Sequence, residues 1–181
     1  MDSAFVIWLT GLPGCGKTTI AKMLEPKLRE LGSRVELFDG DEVRRQLSPD
    51  LGFSKLDREL HAKRVAYLSK LLCRNGIIAI VSLISPYRSF RNFARQEIQE
   101  FVEVYVKCSL ETCMKRDPKG LYKKALAGEI QDLTGIQDPY EEPVNPEVVV
   151  DTEMLSTEQS TDKILCTLRD LGYLRDLRVK L

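Results

Sequence analysis

The chain has 181 residues, 43% of them hydrophobic, and 27 basic side chains against 27 acidic ones, for a formal charge of zero. That length accommodates one domain with a sizeable core and is short for two. Balanced charge supplies no global field for nucleic acid or an anionic membrane, and no stretch approaches the ~20 apolar residues of a membrane span, so any anion must be bound locally.

The start, Met1-Asp2-Ser3, is acidic and the apolar run after it is short, unlike a secretory signal, so the expected compartment is cytoplasmic. Five cysteines (Cys15, Cys73, Cys108, Cys113 and Cys166) form no C-x-x-C pair and leave one over under any pairing. Reduced thiols are therefore expected rather than a disulfide framework, and with His61 as the only histidine a zinc site is not.

The first element is an apolar strand, Phe5–Thr10. It feeds Gly11, Leu12, Pro13, Gly14, Cys15, Gly16, Lys17 and Thr18, which fit the phosphate-loop pattern G-x-x-x-x-G-K-[ST]. In that pattern the glycines let successive backbone N–H groups point into one concavity around a β-phosphate. Lys17 adds a point charge toward the β- and γ-phosphates, and Thr18 offers a hydroxyl to Mg²⁺. From Thr19 the chain continues as a helix, with Ile20, Met23, Leu24, Leu28 and Leu31 at helical spacing, and its N-terminus also favours an anion. Gly32 marks its end, and Pro26 inside it predicts a kink. Cys15 reads either as small filler or as an oxidisable thiol near a helix N-terminus.

Val35–Phe38 predicts a second strand, ending in Asp39-Gly40-Asp41. Carboxylates there lie on the ligand-binding edge of an open α/β sheet; the alternative reading of Asp41 is a cap for the helix Glu42–Leu47. A polar loop, Ser48–Arg58, carries the aromatic Phe53. A helix from Arg58 to about Asn75 places Val65, Leu68, Leu71 and Leu72 on one face. The near-continuous apolar run Ile77–Leu83 has the character of a parallel strand covered on both faces.

Ser85–Arg88 is then an exit loop, Phe90–Glu100 a helix, Val102–Val106 the fourth strand and Leu110–Arg116 a short helix. Residues 117–146 are rich in Lys, Gly, Pro and Asp, with one helical piece at Leu121–Ala127. A connection this long predicts a lid. Val148–Val150 supplies a fifth strand and Thr157–Leu171 a last helix, ended by Gly172; the tail Tyr173–Leu181 has no assignment. Alternating strands and helices predict a single α/β domain over residues 1–181. Its core is a doubly wound, mainly parallel five-stranded sheet of the P-loop NTPase type, with flanking helices.

From Asp39 onward the chain resembles the adenylylsulfate kinases. The likeness rests on Gly11–Thr18, Asp39–Arg44, Asp50–Ser54 with Asp57 and Arg58, Ile84–Arg88, Arg116–Ala125, Gly128–Ile130, Thr134–Ile136, Pro139–Glu141, and Asn145 with Pro146. It implies transfer of the γ-phosphate of ATP to the 3′-hydroxyl of adenosine 5′-phosphosulfate, with Mg²⁺ required, in a homodimer. It places Asp41 near the accepting hydroxyl, with Asp39 beside it. Arg44 and Arg58 would hold the phosphosulfate, Phe53 would stack on the substrate adenine, and Ile84 and Ser85 would line the same pocket. Lys119 would approach the phosphates from the lid, and Arg116 would lie beside the ATP base.

Arginine's planar fork suits a phosphosulfate. Aspartate is a weak base, but phosphoryl transfer depends most on positioning and charge neutralisation. Read locally, Arg44 and Arg58 are also compatible with solvated helix charges, Phe53 with core and Ser85 with a turn. The chain departs from the family at two positions. His61 stands where asparagine is usual, able to make a hydrogen bond in its place or simply to face solvent. Leu133 stands where a phenylalanine closes over the adenine opposite the Phe53 position, which implies a one-sided stack. These departures suggest as a rival a kinase of the same architecture for another small hydroxyl compound. A second rival is a nucleotide-binding regulatory module without turnover; Lys17, Thr18, Asp41 and both arginines argue against it.

Overall fold

Alternation along the first strand, β1 (Val6–Thr10), sets the layering. Phe5, Ile7 and Leu9 face one apolar cluster, while Val6 and Trp8 face another. The structure, a computed structural model, describes residues 4–174. β2 (Val35–Asp39), β3 (Ile78–Ser82), β4 (Phe101–Lys107) and β5 (Val148–Asp151) complete one sheet in the order β2-β3-β1-β4-β5, with every pair parallel. β1 is thus central, and its connection to β2 leaves in the direction opposite to those of its neighbours β3 and β4. A ligand cleft opens at the C-terminal ends of strands at such a point.

The first cluster packs the sheet against α1 (Lys17–Glu30) and α7 (Thr157–Asp170), through Ile20, Leu24 and Leu28 on one and Ile164 and Leu168 on the other. The second packs it against α3 (Lys55–Arg74) and α4 (Arg88–Glu97), through Val65, Ala66 and Ala94. Helices on both faces explain why β1 and β3 are buried at every position. α1 runs through Pro26 as one helix. Of the unassigned tail, Tyr173 stacks 4.7 Å from Phe5 and Leu174 is buried, and the remainder lies outside the described residues.

α3 begins at Lys55, three residues before the expected Arg58, because Ser54 caps it: the Ser54 hydroxyl accepts from the Asp57 N–H at 3.2 Å. Arg58 and His61 therefore sit one turn apart on a single helix. α2 (Gly40–Leu47) is capped by Asp39, not by Asp41, since the Asp39 carboxylate accepts from the backbone N–H of Asp41 and of Glu42. Asp41 is left to project, exposed, from the first turn.

Between α5 (Leu110–Arg116) and β5, residues 117–146 hold one short helix, α6 (Leu121–Leu126), and an isolated bridge between Thr134 and Asp138. The segment is pinned to the body at several points. The Tyr122 hydroxyl donates to the Pro13 carbonyl at 3.0 Å, Tyr140 meets the Thr10 hydroxyl at 2.9 Å, and Arg91 donates to the Glu141 carbonyl at 2.6 Å. Arg91, only 2% exposed, also donates to Glu103 at 2.7 Å and to the Ser85 carbonyl at 2.5 Å. Arg95 extends the network to Glu103 and Glu147.

Candidate active site

A cleft of about 600 Å³ lies along the C-terminal edge of the sheet, lined by the phosphate loop, the start of α2, the cleft face of α3, residues 82–86 and residues 117–121. The loop is shaped by glycine at its base. A Cβ on Gly11 would stand 2.5 Å from the Val106 carbonyl oxygen and 2.7 Å from Cys15 Sγ, and Gly16, with φ 104°, turns the chain into α1. Cys15 is fully buried beneath this turn, which is the position of a filler. Lys17 Nζ donates to the carbonyls of Gly11 and Leu12 at 2.8 Å each and lies 3.5 Å from Cys15 Sγ. Pro13, Gly14, Gly16, Lys17, Thr18 and Thr19 face the cleft.

Three oxygens converge beside Lys17. The Thr18 hydroxyl donates to Asp39 Oδ2 at 3.0 Å and lies 3.2 Å from Ser82 Oγ. Hard oxygen donors of this kind, few in number and next to a phosphate loop, suit Mg²⁺, which keeps several waters and is completed by substrate phosphates. Asp39, expected among the substrate groups, here positions Thr18 and caps α2. Ser82 was not anticipated. Its signal was register, because Ser82 pairs with Asp39 across β2 and β3.

Gly40 makes the next contact possible. A Cβ there would stand 2.7 Å from the Ser82 carbonyl oxygen, a backbone atom that has no free rotor to give way. Gly40→Ala is expected to lower unfolding stability by about 1–3 kcal/mol, as overpacking does. Urea titration measures this, and an unchanged midpoint would show that the junction yields.

On the other side of the cleft, Asp41 pairs with Lys119 from the lid, both exposed. The Arg44 guanidinium donates to the Gly52 carbonyl at 2.6 Å and lies 4.7 Å over the Phe53 ring. Phe53 is 58% exposed, so it is not core; its ring borders the cleft. Arg58 directs its donors to the Phe53 carbonyl, the Thr134 hydroxyl and the Asp132 carbonyl, pinning residues 132–134 to α3 while still lining the cleft. Burial and the neighbouring Arg58 charge lower the Arg44 pKa. Two guanidiniums side by side call for an anion between them.

Ile84 and Ser85 line the same cleft. Ser85 is a non-glycine residue at φ 44°, a conformation that costs about 1–3 kcal/mol and persists where its surroundings enforce it. Trp8 Nε1 donates to its hydroxyl at 3.1 Å and Arg91 to its carbonyl. Two other expected positions, Arg116 and Leu133, are not among the residues that line this cleft. Arg116 is turned to Thr152, donating to its hydroxyl at 3.0 Å and its carbonyl at 2.7 Å, and Thr152 in turn donates to the Cys15 carbonyl at 3.0 Å. It therefore stands at the outer flank of the phosphate loop. Leu133 is 7% exposed and belongs to the apolar cluster that also holds Tyr122 and Ala125, because the turn closed by its carbonyl onto residues 136–138 directs the side chain inward. The expectation that Leu133 borders the substrate is corrected.

His61 does not face solvent. It is 4% exposed, its Nδ1 lies 2.9 Å from Ser48 Oγ, and its Nε2, at the cleft wall, is buried with no partner among the described residues. Burial, reinforced by the charges of Arg44 and Arg64, pushes its pKa down to about 4 from 6.5. The folded pKa being the lower one, the unfolded chain takes up the proton first as pH falls below 6.5. Stability should decline across that window and level off near pH 4. His61→Asn is expected to remove this part of the pH dependence; equal slopes for both proteins in urea melts between pH 7 and pH 5 would contradict it.

A phosphate loop on the central strand of a parallel sheet, an oxygen set for Mg²⁺, and a carboxylate and paired arginines across one cleft define a P-loop kinase. Residues 3–151 match the sequence model described as Adenylylsulphate kinase, and the chain belongs to that family. It is 61% identical over 150 residues to a probable adenylyl-sulfate kinase of Archaeoglobus fulgidus, covering 83% of this chain and 97% of the relative. With a probable adenylyl-sulfate kinase of Pyrococcus abyssi it shares 55% identity over 170 residues, 94% of this chain and 98% of the relative. Among solved structures it resembles the Mycobacterium tuberculosis APS kinase CysC in complex with AMPPNP and APS. That match has TM-score 0.89 and 37% identity, and covers 93% of this chain and 99% of the other.

Proposed function

We propose that the chain transfers the γ-phosphate of ATP to the 3′-hydroxyl of adenosine 5′-phosphosulfate (APS), giving 3′-phosphoadenosine 5′-phosphosulfate and ADP. The observation that carries this reading is the single cleft joining Lys17 and Thr18 to Asp41, Arg44 and Phe53, in a chain of this family. One end suits a nucleoside triphosphate, and the other offers a cation pair and an aromatic face to a second nucleotide that bears an anion.

In this reading the loop N–H groups and Lys17 hold the donor phosphates. Thr18 would hold Mg²⁺, with Asp39 and Ser82 behind it, and the ion would neutralise charge on the β- and γ-phosphates. Arg44 and Arg58 face the phosphosulfate, Phe53 offers its ring to the purine, and Ile84 and Ser85 bound the pocket. Asp41 orients the 3′-hydroxyl toward the γ-phosphorus. The O3′–P bond forms as the bond from phosphorus to the β,γ-bridging oxygen breaks; ADP leaves with that electron pair, and the hydroxyl proton passes late to the Asp41 carboxylate. Lys119, paired with Asp41, would exchange that partner for the transferring phosphate. Arg116, held by Thr152 at the outer flank of the phosphate loop, would lie beside the base of ATP.

ADP release with ATP, Mg²⁺ and a panel of hydroxyl acceptors tests the assignment: APS should be the acceptor used at lowest concentration, and a preference for a different hydroxyl compound would overturn it. The homodimer implied by the resemblance is part of the proposal, and light scattering that returned a monomer would refute it.

A further inference from the structure

His61 presents an orphan. Ser48, 1% exposed at the end of α2, and His61 on α3 face each other across 2.9 Å, and the Ser48 hydroxyl has no other side-chain or backbone partner among the described residues. The pair can be protonated in two neutral ways. If Nδ1–H donates to Ser48 Oγ, the hydroxyl proton and the bare Nε2 are both left unpaired in a buried place. If the hydroxyl donates to Nδ1, only Nε2–H is left, and it borders the cleft beside Arg44, Phe53 and Ser85. An unpaired buried donor or acceptor costs about 1–3 kcal/mol, so the arrangement with one orphan is favoured over that with two. A doubly protonated ring would leave the hydroxyl proton unpaired and add a cation next to Arg44 and Arg64.

We infer that Ser48 is a positioning residue: it fixes His61 as the Nε2–H tautomer, which donates a hydrogen bond to an acceptor atom of the bound APS. The inference rests on the proposed function for the ligand, but not for the tautomer. Recognition is then polar in one direction. A nucleotide presenting an acceptor at this spot satisfies the buried N–H, while one presenting a donor leaves two hydrogens opposed. Sites that hydrogen-bond their substrate discriminate in this manner, because the wrong partner leaves a buried group unpaired.

The chain has a single histidine, so one pair of imidazole nitrogen resonances in the uniformly ¹⁵N-labelled protein reports it without assignment. At neutral pH the long-range ¹H–¹⁵N spectrum should show Nε2 protonated and Nδ1 bare. A protonated Nδ1 overturns the inference. Addition of APS with ADP, a pair that cannot react, should move the Nε2 resonance and protect its proton from exchange. APS that binds by calorimetry without moving Nε2 also overturns it. Should APS not bind at all, the proposed function falls and the ligand half of the inference with it, whereas the tautomer stands on the first spectrum. Ser48→Ala should give mixed tautomers and raise KM for APS about five- to tenfold, the loss of one neutral hydrogen bond, with kcat changed less. Unaltered tautomer and KM in that variant would show that Ser48 merely fills space.

Discussion

Asp41→Asn should lower kcat by about 10²–10⁴, the usual range for a positioned proton acceptor, while leaving the fold intact. The fold should survive because Asp41 is exposed and the α2 cap is made by the Asp39 side chain, which needs only the backbone N–H of residue 41. KM for APS should change little, since asparagine keeps the size and can still accept a hydrogen bond from the 3′-hydroxyl. It cannot take the proton. A loss near the lower end of that range would mean that orientation dominates, as expected for a loose transition state. Steady-state kinetics with both substrates varied, together with a urea melt, separate the two contributions; unchanged kcat would remove Asp41 from the chemistry.

Arg91→Met should cost about 3–5 kcal/mol of unfolding stability, because it leaves Glu103 as a buried carboxylate without its main partner. The pair is almost wholly enclosed, and Arg95, farther away at 3.3 Å, cannot replace the 2.7 Å contact. The same guanidinium holds the carbonyls of Ser85 and Glu141. Its loss should therefore also free the left-handed Ser85 and loosen the lid's attachment, raising KM for APS more than KM for ATP. Arg91→Lys keeps a charge but not the fork that reaches three acceptors, and should fall between. Calorimetric melting of the three proteins checks the order; a methionine variant as stable as the parent would mean that Glu103 is protonated or resolvated.

The fold was legible in the sequence because its signals are local. The five apolar runs are short, end in turn residues and alternate with helical spacing, and the phosphate loop needs only eight consecutive residues. What was not legible depended on partners distant in the chain. Asp39 and Asp41 look alike in sequence, and only the path of α2 decides which caps the helix and which faces the cleft. Ser54 is a local exception, its hydroxyl capping α3 at the Asp57 N–H three residues on. Ser82 gains its meaning from lying beside Asp39 in the neighbouring strand, and Ser48 from an enclosure that no periodicity announces. Leu133 occupies a position where the family resemblance implied a cleft residue, but the turn after it points a leucine into the core. In sequence Arg58 is compatible with a substrate ligand or a solvated helix charge, and the structure adds its hold on Asp132 and Thr134.

The central claim concerns one hydroxyl. The protein incubated with ATP, Mg²⁺ and APS should yield equal amounts of ADP and a product whose ³¹P spectrum shows a phosphomonoester coupled to the ribose H3′, with the phosphosulfate retained. A phosphomonoester at another position, or ADP formed without any phosphorylated APS, would contradict the account.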